Sequence, residues 1–96
     1  VSDAGSLRPA HFDLEQNYPN PFNPSTQINY SISTSSFVTL RLYDILGREI
    51  ASLVNEKKSP GEYSTNWNAE GISGGVYFYR MVAGNYTETK KLILMK

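Results

Sequence analysis

The chain has 96 residues, enough for one small domain that takes about 65% of its unfolded surface out of water, and its 9 Lys and Arg balance 9 Asp and Glu. A net charge of zero supplies no general field for nucleic acid, and the basic stripe of a phosphate binder is missing. With no cysteine there is neither a disulfide framework nor a thiolate zinc site, and no run of about 18 apolar residues is present to form a transmembrane segment.

Residues 1–11, from Val1 to His11, are polar and broken by Gly5 and Pro9, which reads as a flexible linker. The start lacks an initiator methionine and is not a signal peptide, as expected of a piece of a longer protein. From Phe12 to Tyr18 apolar and polar residues alternate, which predicts a short first strand with Phe12, Leu14 and Tyr18 on one face. Asn17 to Pro24 then carries three prolines, each without an amide donor and each pushing its predecessor toward extended geometry. This segment is expected to cross the end of the fold as a rigid corner. Phe22 would plug the interior, and the Asn20 and Asn23 side chains would satisfy turn backbone.

Thr26 to Ser33 alternates and turns Ile28, Tyr30 and Ile32 inward. Phe37 to Tyr43 follows with Val38, Leu40 and Leu42 inward, then Asp44-Ile45-Leu46-Gly47 turns the chain, with Gly47 suited to the left-handed position. Arg48 to Val54 returns. Asn55 to Gly61 is charged and polar, expected as a solvated bend, and Glu62 to Asn68 alternates again with Tyr63, Thr65 and Trp67 aligned. Ala69 to Gly75 bends the chain through three glycines into a last hairpin.

That hairpin carries the strongest strand signal. Gly74 to Val82 is aromatic and β-branched, Gly84-Asn85 is a two-residue turn, and Tyr86 to Lys96 returns. Counting outward from the turn pairs Ala83 with Tyr86, Met81 with Glu88, Tyr79 with Lys90, Tyr77 with Leu92 and Gly75 with Leu94. One face then holds Tyr77, Tyr79, Met81, Leu92 and Leu94. The other holds Val76, Phe78, Arg80, Lys91, Ile93 and Met95. A core accepts only one of these faces, so a final strand with unpaired backbone and a second apolar face is either a template for docking, with Lys90, Lys91 and Lys96 as its charges, or a last strand packed under a neighbouring loop.

Seven short strands with regular turns and no helical period predict an all-β fold, a seven-stranded antiparallel immunoglobulin-like β-sandwich spanning residues 12–96. Tyr77, after the glycine bend, stands where a tyrosine corner returns its hydroxyl to upstream backbone. The one histidine, His11, lies in the linker, Asp13 and Glu15 read as solvent-facing, and no phosphate loop precedes a helix. No enzyme activity, metal or cofactor is expected. The remaining readings are a docking module, a carbohydrate-binding module and a structural spacer. Sugar binding would need Tyr30, Tyr63, Trp67 or Tyr79 exposed, whereas alternation turns them inward.

Leu14 to Pro24, Tyr43 to Arg48, Gly75 to Arg80 and the lysine-ended tail resemble the type A C-terminal sorting domain of type IX secretion, over Phe12 to Lys96. The resemblance implies a non-catalytic sandwich that directs an upstream cargo domain across the outer membrane. In transit through the periplasm it would meet the outer-membrane translocation and sortase components, and the cargo would reach the cell surface or the extracellular space. It assigns motif positions to Pro19, Asn20, Pro21, Gly47, Gly75, Tyr77, Lys91 and Lys96; the outer face adds Ile93 and Met95. Gly74, where a serine is common, and Thr65, where an apolar residue is common, depart from the pattern. The immunoglobulin-like domain of flagellar hook-capping proteins is the alternative resemblance.

Overall fold

A computed structural model describes residues 10–95. The linker reading for Val1–Pro9 and the role given to Lys96 lie outside the described residues. Seven strands form: β1 (Asp13–Leu14), β2 (Ser25–Ile32), β3 (Ser36–Tyr43), β4 (Glu49–Lys58), β5 (Gly61–Asn68), β6 (Gly75–Ala83) and β7 (Tyr86–Leu94). They make two antiparallel sheets, ordered β1-β2-β5 and β4-β3-β6-β7, which face each other as an immunoglobulin-like sandwich.

Period-two side-chain alternation puts the apolar residues between the sheets. Ile28, Tyr30 and Ile32 from β2 meet Val38, Leu40 and Leu42 from β3 and Tyr79, Met81, Leu92 and Leu94 from β6 and β7, all buried. Burying such a side chain contributes roughly 1.5–3 kcal/mol. Trp67 closes one end, its ring 5.7 Å from Phe22 and 6.1 Å, edge-on, from Tyr77. The β6–β7 register runs from Ala83↔Tyr86 to Gly75↔Leu94, as the count from the turn requires. Gly84 at φ +60, with no positive φ at Asn85, gives the turn its type II′ pattern.

Three expectations are corrected. β1 stops at Leu14, and the chain turns so that Asn17, not Tyr18, points inward; Tyr18 is 80% exposed while its backbone bridges Gln27. The segment 55–58 is not a solvated bend but the second half of β4, paired with Ser36, Phe37, Val38 and Thr39. Its Asn55, Glu56 and Lys57 are exposed on an edge strand, so backbone pairing rather than burial holds it, and no apolar pattern announces it. β4 also takes two register shifts against β3, skipping Leu53 and Ile50, which accounts for its broken alternation.

The third correction concerns the edge. β7 is the outermost strand of its sheet, but its final turn of backbone is not free. Phe22 forms a parallel bridge to Leu94, so the proline corner acts as a short extra strand there.

Candidate functional site

The proline corner and the end of β7 form one seam. The Phe22 N–H donates to the Ile93 carbonyl (3.0 Å) and the Met95 N–H donates to the Phe22 carbonyl (2.9 Å). The Ile93 N–H donates to Asn20 Oδ1 at 3.0 Å, and Gln16 Nε2 donates to the Lys91 carbonyl at 2.7 Å. In an antiparallel ladder alternate residues point both backbone groups outward, and here those are the odd-numbered residues of β7. From the Lys91 carbonyl to the Met95 amide the edge is therefore occupied. Among the described residues, only Thr87, Thr89 and the Lys91 amide keep the unpaired edge that the sequence suggested for the whole strand.

The seam is anchored from beneath. Tyr79, fully buried in β6, donates its hydroxyl to the Glu15 carbonyl at 2.7 Å and accepts the Asn17 N–H at 2.8 Å. Burial pushes this phenol up to about 12, against the pull of the Asn17 amide. Asn17, 2% exposed, donates through Nδ2 to the Pro19 carbonyl (3.1 Å) and Thr26 Oγ1 (2.9 Å). Thr26 Oγ1 donates to the same Pro19 carbonyl at 2.9 Å. Among the described residues no buried side-chain polar atom lacks a partner, and Pro19, Asn20 and Pro21 are displayed on the exposed side of the corner.

At the other end of β6, the Tyr77 hydroxyl donates to the Ser73 carbonyl at 2.5 Å, the return bond of a tyrosine corner. Gly75 starts the strand at φ +148, a conformation that side chains avoid, with nothing within 4 Å of where a Cβ would sit. Gly47 sits at φ +85 in the β3–β4 turn, and its N–H donates to the Asp44 carbonyl. The Asp44 carboxylate accepts from the Leu46 and Arg48 amides and from Arg48 Nε, at 2.9, 2.9 and 2.7 Å. The Arg48 backbone N–H above all holds this carboxyl below its usual range.

The outer face of the four-stranded sheet carries Val76, Phe78 and Arg80 from β6, Lys91 and Ile93 from β7, and Met95 just after it. Val76 and Met95 are 36% and 54% exposed, and Ile45 and Leu46 at the tip of the β3–β4 turn are both 72% exposed. Between that tip and β6 run two shallow grooves. One, of about 270 Å³, lies over Tyr43, Phe78 and Arg80; the other, of about 480 Å³, lies between Leu46 and Gly75–Tyr77.

Residues 16–95, which take in the corner, the seam and the outer face, match the family model of the secretion system C-terminal sorting domain. The chain belongs to that family, as a type IX sorting tail. The fold of the sorting domain is similar to part of the crystal structure of dimeric latent PorU from Porphyromonas gingivalis, at TM-score 0.63 and 22% identity. That similarity covers 91% of this chain but 10% of the PorU chain, so the sorting domain spans a tenth of the length of its structural neighbour. No curated protein matches it.

The residues singled out from the sorting domain's sequence fall into three places. Pro19, Asn20, Pro21, Ile93 and Met95 meet at the seam, Gly75 and Tyr77 stand at the start of β6, and Gly47 sits in the β3–β4 turn. Lys91 joins the seam through its carbonyl while its side chain is exposed on the outer face. Asn20 bonds Ile93 rather than its own turn, which Asn17 closes instead. Gln16, Asn17, Thr26 and Tyr79 were missed as a group. Their signal was a polar Asn ahead of the prolines and a tyrosine in the middle of an inward-facing row, each needing a buried partner.

Proposed function

We propose that residues 12–96 act as a non-catalytic docking signal for a cargo domain joined through residues 1–11. The cargo crosses the periplasm and is handed, through this domain, to outer-membrane translocation and sortase components of the type IX machinery. Release at the cell surface or into the extracellular space follows. The observation that carries the docking reading is the outer face of β6 and β7, where Lys91, Met95 and Val76 are exposed on a well-packed sheet. The seam supports a division of labour: Asn20 and Phe22 fix the end of β7, so the side chains of its outer face are presented on rigid backbone. A carbohydrate-binding reading is disfavoured because Tyr30, Trp67 and Tyr79 are buried.

The test is export of a fused cargo in a host that has this secretion system, with Lys91→Glu and Lys96→Glu variants beside the parent. Lys91 is exposed, and a surface substitution of this kind changes stability by no more than about 0.5 kcal/mol, so a melt of each isolated chain separates misfolding from lost recognition. The expected outcome is an unchanged melt with cargo retained inside the cell. Normal export by both variants with intact melts would overturn a role for these lysines.

A further inference from the structure

Three neighbouring cations stand on the outer face of the four-stranded sheet, Arg41 on β3, Arg80 on β6 and Lys91 on β7; a fourth, Lys57 opposite Phe37, lies at the far end of β4. Arg41 and Arg80 are register partners, which places their Cβ atoms about 4.5–5.5 Å apart, an unfavourable arrangement for like charges. Among the described residues, Arg41 has one carboxylate near it, Glu49 at 3.9 Å, and none lies within 4.0 Å of Arg80 or Lys91. Arg80 is nevertheless held in place: its guanidinium carbon lies 5.2 Å from the Tyr43 ring centroid and its Nε donates to Thr89 Oγ1 at 3.3 Å. The fork of terminal nitrogens is left to face outward, the part of arginine that matches a carboxylate.

Next to these cations is the open half of the β7 edge, where Thr87 and Thr89 are exposed. An extended segment added there repeats its outer-face side chains every two residues, the spacing that separates Thr89, in the row of Arg80 and Arg41, from Lys91. The geometry points to an acidic, extended segment of a partner protein that adds alongside β7 at Thr87–Thr89, its alternate carboxylates met by Arg80, with the charge of Arg41 behind it, and by Lys91. This inference deepens the docking reading above by naming the partner's chemistry. An anionic membrane fits less well, because attraction to lipid headgroups takes clusters of about 4–8 basic residues and this chain has no net charge.

The experiment is a titration of the nitrogen-15-labelled 96-residue chain, followed by amide shifts, with a short synthetic peptide alternating valine and glutamate. The controls are its valine–lysine counterpart and vesicles of anionic phospholipid. Saturable shifts at Arg80, Thr87, Thr89 and Lys91 with the glutamate peptide alone are expected. An R41Q/R80Q double variant should bind about tenfold more weakly while melting at the same temperature or higher, since a repulsive pair has been removed. The proposal is overturned by absent saturation, by equal response to the lysine peptide, by undiminished binding in the double variant, or by vesicles alone shifting these amides. No cargo or translocation enters the titration, so its failure leaves the sorting reading intact, and normal export by the lysine variants would count against that reading's use of the lysines without deciding the titration.

Discussion

Asn20 Oδ1 accepts the Ile93 amide hydrogen at 3.0 Å across 73 residues of sequence, a side chain of the proline corner standing in for a strand that β7 lacks. Asn20→Ala hands that amide to water. Because the bond is exposed, the cost is expected at the low end of about 0.5–1.5 kcal/mol. Amide exchange checks the assignment: Ile93 should exchange faster, while Leu92 and Leu94, which face β6, keep their protection.

Tyr79→Phe keeps the ring but strips the Glu15 carbonyl and the buried Asn17 amide of their partner, at a cost of about 1–3 kcal/mol in urea unfolding. The same residue sets an alkaline limit. Its phenol is raised to about 12 in the fold against about 10 unfolded, so its contribution is complete below pH 10 and is lost as pH rises through 12. Urea midpoints at pH 9 and 11.5 should fall further in the parent than in Tyr79→Phe.

Gly47→Val places a branched side chain at φ +85, with an expected penalty of about 1–2 kcal/mol from backbone strain, since no neighbour lies within 4 Å to add a clash. The adjacent Asp44 carboxyl is depressed, so its stabilisation is present above the unfolded value of about 3.9 and is lost as pH falls below it. A carboxyl-carbon titration should report an Asp44 midpoint below 3.9. A midpoint at or above it would dissolve the turn network.

Trp67→Ala opens the end of the core between Phe22 and Tyr77 and is expected to cost about 3–5 kcal/mol, measured by thermal or chemical denaturation. Soluble oligosaccharides should leave its fluorescence unchanged. Saturable quenching by a sugar would overturn its assignment to the core.

The hairpin of β6 and β7 was legible in full because a two-residue turn leaves one register, and that register alone puts Tyr79, Met81, Leu92 and Leu94 on one side. Gly47 and Tyr77 were legible for a similar reason: each obeys a rule of local geometry. The seam was not. Asn20 reaching Ile93 and Gln16 reaching Lys91 are polar contacts between distant segments, and nothing in a strand's alternation records which neighbour will satisfy its outward backbone. The second half of β4 was hidden likewise, since Asn55–Lys57 are held by pairing with β3 while their side chains remain in water. Local rules read faces, and edges had to be seen.

Among the described residues Phe22 finds its backbone partners only in Ile93 and Met95, and this sets a timetable. Synthesis delivers the corner first and its partners some 70 residues later, so every earlier stage of the nascent chain holds an unfinished joint. A chain halted before residue 91 retains the prolines and their bonds to Asn17 and Thr26 but lacks the β7 partners of Asn20 and Phe22. The joint thus distinguishes a finished domain from a stalled one, and protection of the Phe22 amide in ribosome-bound fragments of increasing length should appear only once residue 93, whose carbonyl accepts it, is free to fold.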